Sequence, residues 1–176
     1  MSFTYYNQDN APEAAREELA ASQKAFGWIP NLHAVMAEAP TVLTAYKQLH
    51  ELFQQTSFNS AELTVIWQTI NVENSCHYCV PAHSMIAKMM SVDSQLIQAL
   101  VDNEPLPDEK LQTLKDTTLA LMRHRGQLTE AELNDFKAAG YGNQQLLEIL
   151  LGLAQKTISN YTNHLANTEL DEAFKD

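Results

Sequence analysis

Apolar residues recur at helical spacing along almost the whole chain. That periodicity most constrains the fold. Val42, Leu43, Tyr46, Leu49, His50 and Phe53 form one such stripe, and Leu111, Leu114, Thr118, Leu121 and Met122 form another. Neither Asn-Gly nor Asp-Gly occurs, so the strongest short hairpin signals are missing. Glycine is scarce at five residues, and the six prolines read as punctuation. The chain is expected to be all-α, a single helical domain over residues 1–176.

Boundary signals divide it. A first helix is expected to open at Asn10, with Pro12 in its first turn, and to stop near Gly27. Gly27 to Asn31 is a turn, and a short helix runs to about Ala39. Pro40 opens another that reaches about Gln54. Asn59 with Glu62 makes a capping box before Leu63, and Thr129 with Glu132 makes a second. The run from Leu63 to Val72 is rich in β-branched residues. No neighbouring segment offers it a strand partner, so it is read as a buried helix. The last long helix, Asn143 to Leu165, is apolar around most of its circumference. That pattern predicts a central or interface position.

Composition narrows the function. A chain of 176 residues is long enough to hide roughly 70% of its unfolded surface without a disulfide or metal. Eleven Lys and Arg against 22 Asp and Glu leave a net charge of −11, which disfavours phosphate backbones and anionic lipid. Neither a membrane span nor a signal peptide is legible, and the expected compartment is the cytoplasm.

The chemistry is concentrated between Asn71 and Lys88. The only cysteines, Cys76 and Cys79, are spaced C-x-x-C there, which in a cytosolic chain reads as redox or metal. On an ideal helix Cys76, Cys79 and His83 lie within roughly 60° of one another. Cys79 and His83 are i,i+4 neighbours. Pro81 is tolerated only in a first turn, so the helix is expected to start between Asn74 and His77, with Asn74 or Ser75 as cap. Unpaired amides and the helix dipole would then stabilise a thiolate. His83 could exchange the thiol proton, and Glu73 could orient the imidazole or complete a relay. Cys79 is the expected point of peroxide attack. Cys76, placed nearer the exposed helix start, is expected to resolve the sulfenic acid and meet the reductant, although the order could be reversed.

The stretch E-N-S-C-H-Y-C-V-P-A-H resembles the C-x-Y-C-x-x-A-H core of the carboxymuconolactone decarboxylase superfamily, in its alkylhydroperoxidase D-like, peroxidase-related branch. Gly27 to Pro40 and Asn160 to Phe174 resemble the branch's N- and C-terminal segments, so the likeness covers residues 27–176 and leaves 1–26 as an N-terminal helix and arm. The resemblance implies an alkylhydroperoxidase D-like helical bundle, homo-oligomers, and reduction of hydroperoxides with an external dithiol as reductant and no bound cofactor. It also implies a relay of two cysteines, a histidine and a glutamate. Cys76, Cys79 and His83 carry over. The relay glutamate, twelve residues before the first cysteine in that group, falls on Thr64, which leaves Glu73 and Glu62 as substitutes, Glu73 preferred. Ser75 stands where the group often has glycine.

The same residues admit other readings. Zinc could take Cys76, Cys79, His83 and His77, but no second ligand pair sits at finger spacing. Two buried thiols packed as small apolar residues would need no chemistry. A decarboxylase-type lyase would want a cation for its acidic substrate, and only Lys88 is near the motif. A redox-sensing or assembly protein could use the dithiol as a switch. His33, His50, His124 and His164 have no partners nearby in sequence and receive no catalytic role. Trp67 is assigned to the core or to a pocket wall.

Overall fold

A computed structural model of the chain describes residues 2–175. Among them the regular structure is helical and no strand occurs: α1 Glu13–Phe26, α2 Asn31–Met36, α3 Pro40–Gln54, α4 Ser60–Glu73, α5 Cys79–Met89, α6 Ser94–Val101, α7 Glu109–Arg123, α8 Glu130–Ala138 and α9 Asn143–Ala166. A short 3-10 turn, Glu172–Phe174, follows.

The capping chemistry is where the sequence placed it. The Asn59 side chain accepts from the Glu62 amide at 3.0 Å, and the Glu62 carboxylate accepts from the Asn59 amide at 3.0 Å. Thr129 and Glu132 form the same reciprocal pair before α8. The first helix starts at Glu13, later than expected. Asn10 is held instead in a polar turn, its side chain accepting from the Asn7 amide at 2.7 Å.

Helix α4 is central. Its residues from Glu62 to Asn71 are buried on every side, and it packs against α5, α6, α7 and α9. This explains why the β-branched run folds as a helix: it has no solvent face to alternate with. Helix α9 lies across α3 and α4. Gly152 permits that approach, because a Cβ there would fall 2.8 Å from the Phe53 ring. One apolar cluster gathers Trp67, Leu114, Phe136 and Ile149. A second gathers Leu19, Met36, Leu43 and Tyr46, and both cysteines sit in it.

Candidate active site

Helix α5 starts at Cys79, later than the sequence suggested, and the end of α4 is the reason. Ser75 adopts φ +52°, the left-handed region. Its amide bonds the Val72 carbonyl at 2.9 Å, and the Cys76 amide bonds the Asn71 carbonyl at 2.9 Å. These are the two bonds of a Schellman ending, with Ser75 where glycine is usual. Cys76 is thereby seated in a turn, and Cys79 is the first residue of the next helix. Pro81 still falls in that helix's first turn.

The turn buries both thiols. Cys76 has no exposed surface and Cys79 has 2%, which corrects the expectation that Cys76 is the more accessible. Both are free, and the Cys79 amide donates to Cys76 Sγ at 3.4 Å. The C-terminal segment closes over this turn. The Thr168 carbonyl lies 2.8 Å from His77 Nε2, Asp171 accepts from the Tyr78 hydroxyl and from the Asn31 amide, and Phe174 packs edge-on to Tyr78.

The residues that meet the thiols come mainly from α9. Lys156, Ser159, Asn160 and Asn163 are all fully buried, at i, i+3, i+4 and i+7. Asn163 Nδ2 donates to Cys79 Sγ at 3.2 Å, and Cys76 Sγ lies 3.9 Å from the same nitrogen. Lys156 Nζ lies 2.9 Å from His83 Nε2. An ammonium has no lone pair, so with Lys156 charged Nε2 accepts and the imidazole proton sits on Nδ1. That Nδ1 has no partner among the described residues. Below, Asn71 and Gln68 on α4 bond the Cys79 and Val80 carbonyls and fix the helix start.

The electrostatics follow from burial and from one cation. Burial pushes the Cys79 thiol up. The Cys76 thiol, the Lys156 charge, and the Ser159 and Asn160 donors outweigh it and hold Cys79 well below the usual thiol range. Cys76 is pushed up by its bond to Cys79 and by burial. His83 is held well below the usual histidine value by burial, then by Lys156 and His50. Burial of Lys156 lowers its value, while Cys79 and Cys76 act in the opposite sense. Within this buried pair these surroundings favour the thiolate on Cys79 over one on Cys76.

A cleft of about 270 Å³ opens onto Cys79 and His83 but not onto Cys76. Its walls include His33, Tyr46, His50, Tyr78 and Phe174. His50 stacks on Trp67 at 5.3 Å between ring centroids and meets His83 edge-on at 6.4 Å. Burial, then Lys47 and His50, brings His33 down to about 3. Burial, then Lys156, brings His50 down to about 4. Both imidazoles are therefore neutral walls. Sequence distance concealed their role, since they lie on α2 and α3.

Glu73 does not join this group. Its two oxygens accept from Arg123 Nε and Nη2 at 2.7 and 2.8 Å on the other side of α4. Asn71 faces the dithiol, and two residues on a helix turn the side chain by about 200°. Glu62 is engaged near the opposite end of α4 by Lys110, Tyr141 and the Asn59 amide. Thr64 shares the helix face of Gln68 and Asn71, and its hydroxyl donates to the Ser60 carbonyl. Among the described residues no carboxylate bonds His83 or either thiol. None of their His, Cys, Asp and Glu side chains form a group of three or more placed to hold a metal ion. Lys156 is the residue that sequence reasoning missed. Its signal was a polar stripe from Lys156 to Asn163 within an otherwise apolar helix.

No protein-family model matches the sequence, and no curated protein matches it. Solved structures do. The fold is that of an uncharacterized peroxidase-related protein from Ralstonia eutropha JMP134, described as an alkylhydroperoxidase AhpD core, with a TM-score of 0.85 at 18% identity over 99% of this chain and 95% of that one. A peroxidase-related protein from Silicibacter sp. TM1040 superposes with a TM-score of 0.81 at 18% identity, over 99% of this chain and 95% of that one. The debrominase Bmp8, as a Cys-to-Ala variant in complex with 2,3,4-tribromopyrrole, gives 0.81 at 16% identity, over 99% of this chain and 94% of that one. The chain thus has the all-α alkylhydroperoxidase AhpD core fold.

Proposed function

We propose that the chain is a thiol-dependent peroxidase of the alkylhydroperoxidase D-like group, with Cys79 as the attacking thiolate and Cys76 as the resolving thiol. The observation that carries this reading is the Cys79 sulfur on the wall of an apolar cleft, hydrogen-bonded by Asn163 and facing a buried cation, with Cys76 against its back. The thiolate attacks the distal peroxide oxygen, the O–O bond breaks, and an alcohol leaves once protonated. Cys76 then displaces the sulfenic hydroxyl as water and forms the disulfide. His83 offers its free Nδ1–H as a donor for the bound peroxide. An external dithiol reopens the disulfide by exchange.

This reading fits a reducing cytoplasm. Homo-oligomers are supported by the exposed apolar residues Leu147, Leu150, Tyr161 and Leu165 on α9. Among the described residues no helix is long and apolar enough to cross a membrane.

The test adds one equivalent of cumene hydroperoxide to reduced protein and follows free thiols and mass. Both thiols are expected to disappear together with loss of two hydrogens. Cys76→Ser should stop at a sulfenic acid on Cys79, and Cys79→Ser should not react. Thiols that persist at the rate of free cysteine would refute the proposal.

One observation favours a second reading. The cleft is walled by aromatic and imidazole rings, suited to a flat aromatic substrate, and a protein of this fold is a debrominase. The same dithiol could replace C–Br by C–H, the two thiols becoming a disulfide with release of bromide and a proton. Bromide release from 2,3,4-tribromopyrrole without peroxide turnover would select it.

A further inference from the structure

Lys156 is fully buried, and the ion pairs of the described residues leave it out. Charged and titratable groups approach it from several elements. Helix α5 presents Cys79 and His83, and the preceding turn presents Cys76. Helix α3 brings Tyr46 and His50, and α2 brings His33. From α4 come uncharged Trp67, Gln68 and Asn71, while Glu62 and Glu73 are bound elsewhere. A buried ammonium without a counter-ion is costly. The thiolate is the one anion this set supplies.

Resting on the dithiol reading above, we propose that Lys156 carries the proton of the thiol chemistry: its ammonium stands opposite the Cys79 thiolate in the reduced protein and gives up that proton when oxidation removes the negative charge. In the first step the sulfur forms an S–O bond and the O–O bond breaks. The released alkoxide takes the His83 Nδ1 proton while His83 Nε2, 2.9 Å from Lys156 Nζ, takes one from Lys156, leaving sulfenic acid, alcohol and a neutral amine. Charge is zero on both sides. In the second step the S–S bond forms and the S–O bond breaks. The Cys76 proton leaves with the hydroxyl as water, and the amine stays neutral beside the disulfide. Reduction by an external dithiol returns one proton to Cys76 and one to Lys156. Lys156 thus supplies the acid that no carboxylate on α4 is placed to supply.

The test needs no peroxide. The protein is equilibrated with mixtures of reduced and oxidised dithiothreitol, whose thiols stay largely protonated between about pH 6 and 8, and thiolate is read in the reduced protein by its ultraviolet absorbance. If Lys156 takes up the proton, the protein gains two protons with two electrons. The exchange constant is then flat across that range although Cys79 is a thiolate. A tenfold drift per pH unit would mean that Lys156 stays charged in both states, and would overturn the proposal. So would absence of thiolate near pH 7, or failure of a Cys76–Cys79 disulfide to form.

Lys156→Arg keeps the charge but cannot release it. It should retain the thiolate and introduce the tenfold drift, and a flat response would assign the proton to another group. Lys156→Met should lose the thiolate absorbance, and its retention would refute the ion pair. The wild-type measurement stands even where a variant fails to fold. Absence of peroxide turnover would remove the peroxidase reading without moving any of these results.

Discussion

Asn163→Ala tests whether the α9 stripe sets thiol reactivity. The Asn163 amide donates to Cys79 Sγ at 3.2 Å, and its Oδ1 has no partner among the described residues. Truncation therefore removes the bond to Cys79 and the longer contact to Cys76 at 3.9 Å, and orphans no side-chain acceptor of Asn163. A hydrogen bond to a charged partner contributes about 1.5–3 kcal/mol. Losing it should move the thiol–thiolate balance of Cys79 toward the thiol by roughly ten- to a hundredfold. Lys156 and His83 remain in place, so the effect is smaller than removal of the cation. The assay is the rate of iodoacetamide alkylation against pH, in a Cys76→Ser background so that one thiol reports. The half-maximal point should move to higher pH, with urea stability measured alongside. An unchanged profile in a folded variant would refute the claim that Asn163 stabilises the thiolate.

Glu73→Gln should leave the Cys79 alkylation profile and peroxide turnover unchanged and cost under about 1 kcal/mol, because its partner Arg123 is largely exposed; a loss of turnover would restore Glu73 to the relay. Gly152→Ala should destabilise. The new Cβ would fall 2.8 Å from Phe53 and 3.2 Å from Ile66, an overpacking cost of about 2–3 kcal/mol of which better helix propensity returns about 1; an unchanged thermal midpoint would show that the α3–α9 contact can relax. The protein should also lose stability in mild acid. His33 and His50 stay neutral in the folded state down to about 3 and about 4, whereas the unfolded chain protonates them below the ordinary 6.5. The unfolded state then binds more protons, so stability is full above about pH 6.5 and falls as pH drops toward 4, by at most tenfold in the folding constant per pH unit for each histidine. Urea midpoints that stay flat across that window would contradict the burial of these imidazoles.

Much of this protein is legible in one dimension. Helical periodicity, two capping boxes and the prolines locate α1 to α5 and α7 to α9 to within a few residues, because caps and proline stereochemistry act within a single turn of chain. The pairing of Cys79 with His83 is equally local, since i,i+4 neighbours on α5 must face the same way. Tertiary structure decided the rest. Whether Glu73 reaches His83 depends on how α4 is rotated against α5 and α7, and a rotation of about 200° between Asn71 and Glu73 gives that carboxylate to Arg123. Burial of Cys76 required a left-handed Ser75 and a C-terminal segment folded back over the turn. Lys156 reached the buried site only when α9 crossed α3 and α4, which brings it to 2.9 Å from His83, 73 positions away. Local propensity is set by neighbours in the chain; the proton chemistry of a buried thiol is set by charges that only the packed fold brings near.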